Sequence, residues 1–303
     1  MSARRIRRLV AAALWCAATL GCGVAAAQAV ELRDDRGMAH RFAAPPRRIV
    51  TLLPSLTESV WALDGGDRLV GVDRYSNWPA ELAHLPRVGG LDDMQVEAIV
   101  ALRPDVVLAS TSASSPDRLE ALGVRVLRLD SETHAGVRHT LGVLAQLLGR
   151  PAGAERVWAR LQRDLAAAAR RVPAALRGQR VYFEIGSGPY AAGTGSFIGE
   201  TLERLGLANI VPAQLGPFPR LNPEFVVRAR PDLVMGLQRD QEAMAARPGW
   251  ASLPAIRDGR RCGFAMPQFD LLVRPGPRLG EGAGVLADCL QGLERTMNSA
   301  ATP

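Results

Sequence analysis

At 303 residues, with 48% hydrophobic and 22% charged side chains, the chain is long enough for two ordinary domains and too apolar to be disordered. Its formal charge of +7 is concentrated at the start: Arg4, Arg5, Arg7 and Arg8 precede any acidic residue, and removing them leaves +3. No basic run or aromatic-interleaved patch then remains, which excludes a nucleic-acid binder, and the absence of lysine excludes P-loop and Schiff-base lysine chemistry.

Residues 1–29 read as a secretory signal peptide, with a basic start, an apolar stretch too short to span a bilayer, and a small-residue cleavage site at Ala27-Gln28-Ala29. A lipoprotein signal ending at Cys22 is the competing reading. Either implies export to the periplasm. "VELRDDRGMAHRF" predicts a hairpin turning at Asp35-Arg36-Gly37, and "RRIVTLLP" a strand ended by Pro54. A helix from Ser55 to Leu63, the strand "LVGVD", the helix-break-strand "VEAIVALRPDVVLAS" and the helix-strand "LEALGVRVLRLD" follow, a spacing that predicts parallel βαβ units. Residues 30–140 thus form an N-terminal α/β lobe. A helical connector with Val157, Leu161 and Leu165 on one face spans 141–175, interrupted once at Gly149-Arg150-Pro151. A second α/β lobe over 176–297 restarts at "RVYFEIG" and runs through "DLVMGL" and "RRCGFAM" to a last helix over 281–293, with 298–303 left as a tail. The fold class is α/β, with two lobes of mainly parallel sheet flanked by helices and a ligand cleft between them.

Two stretches reinforce the two-lobe reading. "VEAIVALRPDVVLAS" and "PEFVVRARPDLVMGL" superpose at one offset, with Glu97 over Glu224, Arg103 over Arg230, Pro104 over Pro231 and Asp105 over Asp232. A catalytic constellation is missing by contrast. Ser55 and Ser196 sit in no G-x-S-x-G elbow, the histidines are scattered, and there is no H-E-x-x-H or cysteine cluster, so no catalytic or metal residue is assigned and an exported serine hydrolase is a distant alternative. The Gly-rich "GSGPYAAGTGS" lacks the P-loop lysine and reads as a loop bringing backbone close to a ligand. After the leader only Cys262 and Cys289 remain, consistent with a disulfide in an exported protein or with two separate buried thiols. Aromatics Tyr75, Tyr190 and Phe218 fall in loops after strands, where open α/β sheets bind ligands.

These motifs, with "RIVTLLPSLTES", "LVGVDRYSNWP", "FPRLNPEFVVRARPD" and "DLLVRPGPRL", resemble the periplasmic cobalamin-binding proteins of ABC importers, within the helical-backbone metal-chelate receptors that also handle haem and ferric siderophores. The resemblance covers residues 47–291 and implies a non-enzymatic, monomeric solute-binding protein whose lobes are joined by one long helix. It implies that Glu97 and Glu224 meet arginines of the permease dimer at the inner membrane. It further implies that Tyr75, Tyr190 and Phe218 line the cleft and that Asp270 and Arg274 lie near corrin amides, where Arg274 could donate to an amide or simply pair with Asp270 four residues away. Leu91 and Ser110 stand where that branch carries tryptophans. Cobalamin is the expected cargo, with no catalytic cofactor. For haem or a ferric siderophore, Tyr75 or Tyr190 would supply a phenolate and Arg74 or Arg220 would pair with carboxylates.

Overall fold

The computed structural model describes residues 29–90, 93–186 and 188–300; the leader with Cys22, and Leu91, lie outside them. A hairpin comes first, β1 (Val30–Arg33) paired antiparallel with β2 (Ala39–Phe42). Gly37 takes the turn at φ 80°, a conformation open to glycine at no steric cost. The N-terminal lobe follows as β3 (Ile49–Thr51), α1 (Pro54–Ala62), β4 (Leu69–Val72), α2 (Val96–Ala101), β5 (Val106–Ser110), α3 (Asp117–Ala121) and β6 (Val126–Leu129). Its four strands are parallel in the order β4-β3-β5-β6. These strands read as apolar runs because both faces are covered by helices.

The C-terminal lobe repeats the plan with β7 (Arg180–Gly186), β8 (Tyr190–Ala191), α6 (Phe197–Arg204), β9 (Ala208–Asn209), α7 (Pro223–Ala229), β10 (Leu233–Leu237), α8 (Gln241–Ala245), α9 (Pro254–Arg257) and β11 (Arg261–Phe264). Its parallel order β11-β10-β7-β9 matches the first sheet strand for strand, and β8 adds an antiparallel edge on β7.

The sequence repeat proves to be a structural clamp. Both short helices stop at an arginine in the left-handed region, Arg103 at φ 45° and Arg230 at φ 47°, and each is followed by proline. The aspartate after the proline then holds the start of the neighbouring strand. Asp105 accepts from the backbone N–H of Arg47 and Arg48 at 2.7 and 2.9 Å, and Asp232 from that of Arg180 at 2.9 Å. The Arg48 guanidinium donates to the Leu102 carbonyl at 2.6 Å and the Arg180 guanidinium to the Ala229 carbonyl at 3.2 Å, closing two otherwise unsatisfied helix C-termini at equivalent positions. Bonding to Arg180 also holds the Asp232 carboxyl below its usual pKa.

The helical connector over 141–175 is interrupted between Leu147 and Ala152, at the expected Gly149-Arg150-Pro151. α4 (His134–Leu147) is capped by Thr133, and α5 (Ala152–Arg171) begins after Gly149, at φ 70°, and Pro151 have broken the path. α5 buries Val157, Leu161, Leu165 and Ala168. That face packs along α11 (Leu279–Ala300), which follows α10 (Met266–Val273). Residues 298–300, expected in a loose tail, belong to α11, because nothing after Gly292 breaks the helix and Ser299 Oγ donates to the Arg295 carbonyl. Cys262 on β11 and Cys289 on α11 form a disulfide with Cα atoms 6.0 Å apart. Replacing both by alanine should lower unfolding stability by about 2–4 kcal/mol. An unchanged guanidinium midpoint in that variant would show the bridge to be dispensable.

Candidate functional site

The facing ends of the two sheets leave a cavity of about 280 Å³ between the lobes. On the N-terminal side it is walled by Leu53, Ser55 and Leu56 where β3 runs into α1, by Ser110 and Ser112 beyond β5, and by Leu129, Asp130, Ser131 and Glu132 beyond β6. Ile185, Phe197, Ile198 and Phe218 close it from the C-terminal lobe, and Val273 and Pro275 flank it at the end of α10. The lining is an apolar floor set with four hydroxyls and two carboxylates, and among the described residues it contains no basic side chain. Burial and the neighbouring Asp130 push the Glu132 carboxyl above its usual pKa.

Of the ligand residues expected from sequence, Phe218 lines this cavity and meets Phe197 edge to face, ring centroids 5.9 Å apart. The chain around it is knitted to the Tyr190 loop: Ala191 N–H donates to the Pro219 carbonyl, and Leu221 N–H to that of Pro189. Tyr190, 45% exposed, sits beside rather than in the cavity wall, as does Tyr75 at 60%. The Tyr75 turn is held from below. Asp73 accepts from Tyr75 N–H at 2.9 Å and from Ser76 Oγ, which bonds Thr57 Oγ1 at 2.7 Å, which in turn bonds Thr51. Burial raises the Asp73 carboxyl in that network, against the Ser76 hydrogen bond.

Asp270 and Arg274 are not free for a ligand in the way expected. The Arg274 guanidinium, 10% exposed, bonds Glu58 at 2.9 Å, Asn77 Oδ1 at 2.8 Å, the Tyr75 carbonyl at 3.1 Å and Asp270 at 2.7 Å. Asn77 returns its amide to Asp270 at 3.0 Å. Glu58 is 2% exposed, and burial lifts its carboxyl above the usual range while Arg274 opposes that lift most strongly. Arg274 is therefore a strut tying α10 to the N-terminal lobe. A second tie borders the cavity, where Phe197 N–H donates to the Glu132 carbonyl at 2.6 Å, the buried His134 ring bonds the Phe197 carbonyl and Thr201 at 3.1 and 2.9 Å, and the His134 backbone N–H donates to the Glu200 carboxylate at 2.7 Å.

The Gly-rich loop brings backbone close to backbone rather than to the cavity. A Cβ at Gly193 would strike the Gly216 carbonyl and one at Gly199 the Gly193 carbonyl. Ser196 is fully buried, donates to Gly193 O at 2.7 Å and caps α6 by accepting from Gly199 N–H at 3.0 Å, which leaves no nucleophile there. Ser110, marked in the sequence as a departure at a tryptophan position of the cleft, does line the cavity, while Ser112, Asp130, Ser131 and Glu132 escaped the sequence reading as site residues. Their position just beyond parallel strands was the available signal. Glu97 and Glu224 lie exposed in the first turns of α2 and α7, away from the cavity. Glu97 has no partner among the described residues, and Glu224 only an Arg228 contact at 3.7 Å.

The chain is similar to a substrate-binding lipoprotein of an ABC transporter, YvrC of Bacillus subtilis, at 28% identity over 81% of this chain and 80% of that protein. It is similar at 29% identity to a vitamin B12-binding protein of Salmonella typhimurium, over 71% of this chain and 80% of that one. Among solved structures, the periplasmic heme-binding protein RhuT from Roseiflexus sp. RS-1 matches with a TM-score of 0.68 and 28% identity, covering 80% of this chain and 97% of the other. Residues 49–264 match the family described as periplasmic binding protein, and with its two α/β lobes and inter-lobe cavity the chain belongs to that family, a binding protein for ABC transport rather than an enzyme.

Proposed function

We propose that the protein captures a corrinoid, cobalamin first among them, between its lobes outside the cytoplasm and delivers it to an ABC permease that docks on Glu97 and Glu224. One observation carries the choice of cargo: among the described residues the cavity lining holds hydroxyls and carboxylates but no cation. A corrinoid presents a flat apolar body and peripheral carboxamides whose N–H groups need acceptors, which Asp130, Glu132 and the serines supply. Haem propionates or an anionic siderophore would instead meet Asp130 and Glu132 with no compensating charge. The cations nearest in sequence to the cleft tyrosines are already engaged, Arg74 with Asp93 and Arg220 with the Gly188 carbonyl at 2.9 Å. The likeness to a vitamin B12-binding protein supports the same reading.

The purified mature protein titrated with cyanocobalamin, hemin and a ferric siderophore, by calorimetry and visible spectroscopy, should give heat with cyanocobalamin alone. The double substitution Asp130→Asn, Glu132→Gln should weaken that binding about tenfold, the loss of one to two charge-assisted hydrogen bonds. A shifted Soret band with hemin and no response to cyanocobalamin would overturn the assignment in favour of haem.

A further inference from the structure

Apart from the cleft, and sharing no residue with it, a second concavity of about 530 Å³ opens where the end of α1, the exposed face of α5 and the start of α11 meet. Its lining inverts that of the cleft. Two indoles, Trp61 and Trp78, stand among the guanidiniums of Arg156, Arg160, Arg163 and Arg278, against two carboxylates, Asp64 and Glu281. Arg278 lies 4.3 Å over the Trp78 ring and bonds Glu281 at 3.0 Å, while Arg156 pairs with Asp64 at 2.7 Å. Those two contacts use up both carboxylates. Arg160 reaches only Asp164, at 3.7 Å, and Arg163 has no hydrogen bond or ion pair among the described residues. Residues 156, 160 and 163 recur at helical spacing on one face of α5, so their like charges crowd together and favour a bound anion.

We propose that this concavity binds a phosphate-bearing anion whose apolar or aromatic part rests on the two indoles. Planar guanidiniums match phosphate oxygens in a fixed fork, and indole faces suit a flat or apolar group set beside the charge. A soluble phosphate ester and the headgroup of an anionic lipid share this chemistry. The inference is independent of the cargo assigned to the cleft.

The test is calorimetric titration of the mature protein at low salt with 4-nitrophenyl phosphate and inorganic phosphate, together with co-sedimentation on phosphatidylglycerol and phosphatidylcholine vesicles. Saturable binding of 4-nitrophenyl phosphate, tighter than inorganic phosphate, supports the site and a soluble ligand. Retention on phosphatidylglycerol but not phosphatidylcholine vesicles supports it with a lipid source. In either case Arg160→Glu with Arg163→Glu should weaken the interaction at least tenfold. Both side chains are exposed, so the fold and cleft binding should survive the change. Absence of every phosphate interaction, unaltered binding in the double variant, or equal retention on both vesicles would overturn the proposal.

Discussion

Arg274→Ala should destabilise the protein by about 3–5 kcal/mol, the range for stranding one partner of a buried ion pair. The expectation rests on Glu58, 2% exposed, whose carboxylate would lose the guanidinium 2.9 Å away and has only the more distant Arg278, at 3.9 Å, to replace it. Asn77 Oδ1 and the Tyr75 carbonyl would lose their donor as well. Guanidinium denaturation followed by far-ultraviolet circular dichroism measures the change. Glu58→Met combined with Arg274→Leu should recover much of the loss, because a well-packed apolar pair leaves no buried charge behind. A loss below about 1 kcal/mol in Arg274→Ala, the level of an exposed pair, would show that the strut is not what holds α10 to the N-terminal lobe.

Reversing both lobe-tip charges, Glu97→Arg with Glu224→Arg, should abolish ligand-stimulated ATPase activity and uptake by the reconstituted transporter, with ligand affinity unchanged within about twofold. Each glutamate stands in the first turn of a short helix, where its charge favours the helix N-terminus by only about 0.3–1 kcal/mol, too little for its reversal to make the variant misfold. Glu97 is unpartnered among the described residues, and the exposed Glu224–Arg228 contact at 3.7 Å contributes little. The clamps at Arg103-Pro104-Asp105 and Arg230-Pro231-Asp232 set their two helices alike, so the carboxylates offer a partner of two-fold symmetry the same charge-assisted contact twice. Either single reversal should leave partial activity. Ligand affinity lost together with transport would instead assign the two glutamates to the cleft.

The break in the duplicated motif was legible because it is local, an arginine, a proline and an aspartate in sequence ending a helix before a strand, whereas the aspartates' hydrogen bonds to the neighbouring strands span 52 to 58 residues and were not. Phe218 was legible for a similar reason, as an aromatic in a proline-bounded loop. Arg274 was not. Its position four residues after Asp270 showed one partner, but Glu58 lies 216 residues away, and no pattern in one sequence announces a contact of that separation. The carboxylates of the cavity were hidden differently. "DSETH" is a short polar stretch between a strand and a helix that Thr133 caps, and nothing local sets Asp130 and Glu132 apart from an ordinary solvated loop. The Gly-rich loop misled for the converse reason, since close approach of backbone to a ligand and to another strand of the same chain demand the same glycines.

The two ties across the cavity are unequal, and that inequality gives the molecule a preferred direction of movement. Separating the Phe197 edge from Glu132 and His134 breaks neutral hydrogen bonds, each costing about 1 kcal/mol, and one bond to the Glu200 carboxylate, which at 32% exposure is already open to water. Separating the Arg274 edge parts one guanidinium from Glu58, Asn77 and the Tyr75 carbonyl together, charge-assisted bonds each roughly twice as strong as a neutral one. Lobes fastened this way swing like a door hung on its charged side, with α5 and α11 as the frame. For a cargo bulkier than the 280 Å³ cavity, the expected way in is therefore past the serines and carboxylates beyond β5 and β6.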